Sequence, residues 1–238
     1  MTGWRESLSS FAYTWAHIWP QLLMVVLMIP AIVFHEMAHG FAAYKLGDPT
    51  AKRSGRLSAN PLKHLDPFGS VVLPLILAVA GGPVFGYAKP VPYDPRYFKN
   101  LKVGEVVVGL AGPLCNLLQA CVGWVLCWVG WWLLGTSPQV GYWVYLVAYY
   151  YAYINLVLMF FNLIPLPPLD GSSIIAVFLP RRAMNGYYQV QRYAMVILLA
   201  LIIVIPWVTG VDVIGLYLNV TAGNLIDLPL PAHVLFGR

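Results

Sequence analysis

The chain is patterned in long apolar runs, with polar residues gathered between them. A spanning helix needs about 20 largely apolar residues. Residues 19–46, 103–134, 142–162 and 191–208 each meet that length. A fifth stretch, 68–85, is apolar but broken by Pro74, Gly81, Gly82 and Pro83. From residue 211 onward apolar residues mix with Asp212 and Asp227, so the tail either lies on the membrane surface or crosses back. No internal repeat or low-complexity linker interrupts the pattern. It predicts an all-α fold: a polytopic transmembrane helical bundle of about 5–6 membrane segments, with a re-entrant or irregular segment after the first helix. Residues 1–238 are read as one integral-membrane domain.

Composition agrees. The chain is 60% hydrophobic and 10% charged, where a soluble protein carries roughly a quarter charged residues. The net charge of +5 sits mostly in three connecting segments. That distribution reads as membrane orientation and contact with anionic headgroups, and argues against nucleic acid as a partner. Lys45, Lys52, Arg53, Arg56 and Lys63 follow the first helix, and Lys89, Arg96, Lys99 and Lys102 precede residue 103. The segment "GTSPQVG" between the next two helices is uncharged, and Arg181, Arg182 and Arg192 follow them. The basic segments are expected in the cytoplasm, with the uncharged one and the N-terminus outside. Residues 1 to 18 lack the basic cluster and apolar run of a cleavable signal. Basic segments flank 68–85 on both sides. That stretch therefore either turns back at Gly81-Gly82-Pro83, or crosses while "GYAKPVPYDPRYF" folds back into the protein. Either way, irregular backbone at membrane depth must be buried in protein or face water. Cys115, Cys121 and Cys127 step by roughly 240° around one helix and share no face, so neither a disulfide nor a cysteine metal site is expected there.

The chemistry begins with "IVFHEMAHGF", residues 32 to 41. Ionisable side chains are costly in hydrocarbon and usually mark function where they occur. His35 and His39 lie one helical turn apart, about 40° apart in azimuth, with Cβ atoms roughly 5–6 Å from each other. Two imidazoles so placed can close on one zinc ion. Glu36 projects elsewhere on the same turn, where it can take a proton from water without being a ligand. This is the H-E-x-x-H arrangement of zinc metalloproteases.

A catalytic zinc wants a third protein ligand and an open position. His17, His64 and His233 are poorly placed: before the first helix, in a basic loop, and in the tail. Asp66 and Asp94 stand beside prolines, where turn or capping roles come first. Asp170 follows Pro165, Pro167 and Pro168, which end the preceding helix and force extended backbone. It can cap the next helix or ligate zinc. Depth favours the ligand, because Asp170 and His39 both approach the cytoplasmic half of the membrane.

"HEMAH" in a spanning helix, with "NLIPLPPLDG" far downstream, resembles the site-2 protease family of intramembrane zinc metalloproteases. "GYAKPVP" and "AGPLCN" resemble segments of its compact bacterial members, those without a PDZ or CBS domain, so the resemblance covers most of the chain. It implies that His35, His39 and Asp170 hold one Zn2+ per chain and that Glu36 activates water. It also implies that Asn162 sits close to the site, where an amide can hydrogen-bond the scissile carbonyl or its oxyanion; otherwise Asn162 simply ends its helix. Asn116 reads first as helix packing, with a tie to the site as the alternative. The expected function is an intramembrane endopeptidase of a prokaryotic plasma membrane, with its site towards the cytoplasm. It would cut single-pass transmembrane proteins in or near their membrane segment. The alternatives are a non-catalytic membrane scaffold, against which an intact Glu36 argues, and a metal transporter using His35, His39 and Asp170. The matching broken helices of a transporter are not visible in the sequence.

Overall fold

In the computed structural model, residues 3–64, 66–72 and 88–229 are described, and helices dominate them. Helix α1 is Gly3–Lys45. A short helix α2, Thr50–Arg53, follows. Helices α3, Leu101–Leu134, and α4, Pro138–Asn162, are joined by three residues. Helix α5 is Asp170–Ala176 and α6 is Arg181–Arg192. Helix α7, Ala194–Thr209, contains a π-helical stretch at Ala200–Val204. The chain then runs through Val213–Leu218, a π-helical stretch at Asn219–Gly223, and Asn224–Asp227.

Among the described residues, three helices are long and apolar enough to cross a membrane: Trp19–Lys45, α3 and α4. The pair α6 and α7 makes a fourth if taken as one span bent by 68°. The protein is therefore an integral membrane protein. The irregular segment expected over 68–85 falls almost wholly outside the described residues. The boundaries differ from the apolar runs in instructive ways. Helix α1 begins well before residue 19, because nothing between Trp4 and Trp19 breaks a helix. Helix α3 starts at Leu101 because the Asn100 side chain accepts from the Val103 amide at 3.2 Å. The expected helix 191–208 divides at Tyr193, leaving the arginine- and tyrosine-bearing α6 at a sharp angle to the apolar α7.

Helices α3 and α4 form an antiparallel hairpin, and α1 packs across both. The sequence permits this through small residues. On α3 the buried positions Gly112, Asn116, Ala120, Gly123, Cys127 and Gly130 recur every three or four residues and so line one face. The opposite face carries exposed Leu118, Val122, Val125, Val129 and Trp132. Large apolar groups outside and small groups inside suit a helix whose solvent is lipid, where association relies on close packing. A Cβ on Gly130 would stand 2.5 Å from the Tyr145 amide nitrogen, and one on Gly123 2.8 Å from Ala152 Cβ. The central core joins Ala120, Cys127, Tyr145, Ala148, Ala152, Leu156 and Met159 to Ala222 and Ile226 of the C-terminal helices. There the Trp124 indole donates to the Ile226 carbonyl at 3.2 Å.

Because the obstacle facing Gly130 is backbone, Gly130→Ala must push α3 and α4 apart, at a cost of about 1–3 kcal/mol. Thermal unfolding in mild detergent is expected to show a lower midpoint for Gly130→Ala. Leu118→Ala on the lipid-facing side is expected to unfold close to the wild-type midpoint.

Candidate metal centre

Helix α1 delivers His35 and His39 to one face, and both rings are buried against α3. Their Nε2 atoms lie 3.1 Å apart. Asp170 arrives from the other side, at the first residue of α5. Its Oδ2 is 3.2 Å from His35 Nε2 and 3.3 Å from His39 Nε2. Asp170 does not cap its helix. The capping position is Leu169, and no side chain caps it. Of the two placements the sequence left open, the structure brings Asp170 to the histidines and not to the capping position.

Two glycines make the convergence possible. Helix α3 crosses the histidines at Gly112, where a Cβ would sit 2.3 Å from His39 Nε2 and 2.5 Å from His35 Cε1. After α4 ends, the proline-rich turn folds tightly back, and a Cβ on Gly171 would meet the Leu163 carbonyl oxygen at 2.3 Å. The "LDG" sequence thus places Asp170 by letting the next residue press against the end of α4. The turn is tied by the Ser172 hydroxyl, which donates to the Leu169 carbonyl at 2.7 Å.

The hydrogen bonds behind the rings decide which nitrogen is available. His39 Nδ1 is 2.7 Å from the Val108 carbonyl oxygen, which can only accept. The proton of the neutral ring is therefore on Nδ1, and the Nε2 lone pair faces the site. His35 Nδ1 is 2.7 Å from Asn116 Oδ1 and is fixed in the same sense. The buried Asp170 Oδ2 accordingly has no hydrogen-bond partner despite its short distances to both rings. With both rings neutral, three acceptors converge, an arrangement that a cation relieves. The spacing fits as well: bonds of about 2.0–2.1 Å to a tetrahedral zinc place its ligand atoms about 3.3–3.4 Å apart. His35, His39 and Asp170 therefore suit zinc by donor type, protonation and separation.

The other expected residues are placed as follows. Glu36 is outside this triangle, half-buried on the same turn as His35, and its Oε2 accepts from the Val91 amide at 2.9 Å. Asn162 is the last residue of α4, and its Nδ2 donates to the Leu158 carbonyl at 3.0 Å. One of its two amide protons is thus engaged on its own helix. Asp66 and Asp94 take the turn roles expected of them. Asp66 accepts from the Phe68 and Gly69 amides, and Asp94 from the Arg96 amide. His64 is buried, with Nε2 2.8 Å from the Ser58 carbonyl, and belongs to the loop and not to the centre. The side chains of His17 and His233 lie outside what is described. Asn116 proves to be the partner of His35, a role that sequence reading ranked below packing. The available signal was its position four residues after Gly112, on the inward face of α3.

Comparison with known proteins identifies the family. A model of peptidase family M50 matches residues 133–205, which include Asp170 and Asn162. The Bacillus subtilis protein named "Putative zinc metalloprotease YwhC" is 40% identical over 182 residues, covering 76% of this chain and 80% of that protein. The chain belongs to peptidase family M50. More distant relatives include "Putative zinc metalloprotease Rip2" of Mycolicibacterium smegmatis, 24% identical over 188 residues, covering 76% of this chain and 67% of that protein. Another is "Putative zinc metalloprotease MJ0611" of Methanocaldococcus jannaschii, 26% identical over 175 residues, covering 71% of this chain and 80% of that protein. No solved structure matches the chain. Membership in M50 bears out the resemblance that "HEMAH" and "NLIPLPPLDG" suggested.

Since a Cβ at residue 112 would intrude on both ring nitrogens, Gly112→Ala is expected to lose most of its zinc, by metal analysis after purification, while remaining folded. Asp170→Asn is expected to lose zinc as well. Asparagine caps a helix about as well as aspartate but brings no charge to offset a dication.

Proposed function

We propose that this M50 protein is an intramembrane zinc endopeptidase that cuts single-pass transmembrane proteins in or beside their spanning segment. The observation that carries this reading is the convergence of His35 and His39, on a membrane-spanning helix, with Asp170 of α5, while Glu36 lies on the same helix outside the ligand triangle. When bound, zinc supplies Lewis acidity, which polarises a carbonyl and acidifies water. The protein residues supply the rest. His35 and His39 present unprotonated Nε2 atoms because Asn116 and Val108 hold their Nδ1 protons. Glu36 takes a proton from water and returns it to the leaving amine. Asn162 keeps one amide proton free of Leu158, and that proton can be offered to the scissile carbonyl oxygen.

An apolar helix hides its peptide bonds, so a substrate must partly unwind before Glu36 can act on it. The site is assigned to the cytoplasmic half of a prokaryotic plasma membrane, and the loop between α3 and α4 to the outside, on the distribution of lysine and arginine. The reading takes one zinc ion per chain, supported by the single His/His/Asp group among the described residues.

Co-expression with a panel of tagged single-pass proteins tests the activity. The wild type is expected to cut at least one of them and Glu36→Gln none, with Glu36→Gln retaining zinc. Loss of zinc in that variant would make Glu36 a ligand and sink the assignment. Orientation is tested separately with Ser137→Cys, which is expected to react with a membrane-impermeant thiol reagent added from outside.

A further inference from the structure

Glu36 does not stand alone. Its carboxylate accepts from the Val91 amide, and the carbonyl on the other side of that same peptide group, Pro90 C=O, accepts from Arg56 Nη2 at 3.2 Å. One planar peptide therefore sits between a guanidinium and a carboxylate. A peptide group turns as a unit, so fixing its oxygen fixes the direction of its N–H. Positive charge at the oxygen also polarises the group and strengthens its donation to Glu36.

Arg56 is placed for this task. It is buried, and its guanidinium also bonds the carbonyls of Lys63 and Lys89. No carboxylate pairs with it among the described residues. Burying a guanidinium on carbonyls alone is costly, and here it fastens the segment 88–94 at the point where that segment meets Glu36. Prolines at 90, 92 and 95 hold Lys89, Val91 and Asp94 in extended backbone. The far end of the segment is fastened by Asp48, fully buried, whose Oδ2 accepts from the Asp94 amide at 2.6 Å while Oδ1 accepts from the Thr50 amide and hydroxyl. Between the two anchors Val91 packs over Gly40, where a Cβ would come 2.8 Å from Val91 Cγ1.

We propose that Arg56, backed by Asp48, is a positioning residue for Glu36, acting through the Pro90–Val91 peptide group. The proposal rests on the reading of Glu36 as the base. Neither residue touches the metal ligands, so zinc binding is independent of both.

The test uses the full chain in mild detergent, with the tagged single-pass protein that the wild type cuts as probe. Arg56→Lys keeps the charge but loses the fork that reaches several carbonyls. Asp48→Asn replaces one acceptor oxygen by an NH2 group, which cannot accept. Val91→Pro deletes the N–H itself within backbone that already suits proline. Hydrogen exchange over residues 88 to 94 is expected to accelerate by roughly tenfold in Arg56→Lys and Asp48→Asn, with amides of α3 and α4 still protected. In all three variants zinc content is expected to match the wild type. In Arg56→Lys and Val91→Pro, kcat is expected to fall roughly 10- to 100-fold with KM within about twofold. The double variant Arg56→Lys with Val91→Pro is expected to be no slower than the slower single one, because both changes break the same link. Unchanged exchange at Val91 in Arg56→Lys overturns the proposal. So does a loss confined to KM, a double variant whose losses multiply, or loss of zinc from a variant that stays folded. Should Arg56→Lys fail to fold, unaltered exchange over residues 88 to 94 in Asp48→Asn overturns it. A wild type that cuts nothing overturns the protease reading, and this proposal with it, before any variant is compared.

Discussion

Much of this structure is arranged around three groups that, with both rings neutral, are acceptors facing one another. His35 Nε2, His39 Nε2 and Asp170 Oδ2 lie 3.1–3.3 Å apart in a bundle whose outer surface is lipid-facing. In water such a cluster would simply protonate or drift apart. Here the Val108 carbonyl and the Asn116 amide hold protons on the far side of each ring, and tight packing denies the rings room to turn. The electrostatic cost of assembling the cluster is offset by whatever cation it receives, so the geometry of the helices and the chemistry of the centre have to be explained together.

The packing that holds the cluster comes from residues with almost no side chain. Lipid tails are as apolar as leucine, so large apolar groups gain little by turning inward, and α3 turns them outward. Its inward face is small, which brings backbones close enough for α3 to pass directly over the histidines at Gly112. The same device recurs at Gly171, where α5 presses on the end of α4 and thereby fixes Asp170. In a soluble protein these positions would read as weak points of a helix. In this environment they set the distances on which the centre depends.

A second layer of order surrounds Glu36. The segment 88–94 carries no regular secondary structure, yet it is held at both ends by buried charged groups and in the middle by contact with α1. Irregular backbone near membrane depth must satisfy its polar groups within the protein. Here that requirement places a peptide N–H on the Glu36 carboxylate. The sequence reading expected such a segment beside the helices and dealt with Arg56 only as one of several basic loop residues. Charge counting along a loop cannot distinguish a solvated arginine from a buried one.

The sequence by itself determined the membrane class, the main apolar helices, the pairing of His35 with His39, and the family. Each rests on short-range regularity: apolar length, the i, i+4 relation on one helix, or a contiguous motif. Neighbours along a helix are fixed by its 3.6-residue turn wherever the helix sits. Only the tertiary structure decided that Asp170 faces the rings instead of capping α5, that Asn116 is the partner of His35, and that Arg56 reaches Glu36 through the Pro90–Val91 peptide. Those relations join residues far apart in the chain. They depend on how closely helices approach, a quantity set by the small residues at each crossing and not by any repeat that a linear reading can count.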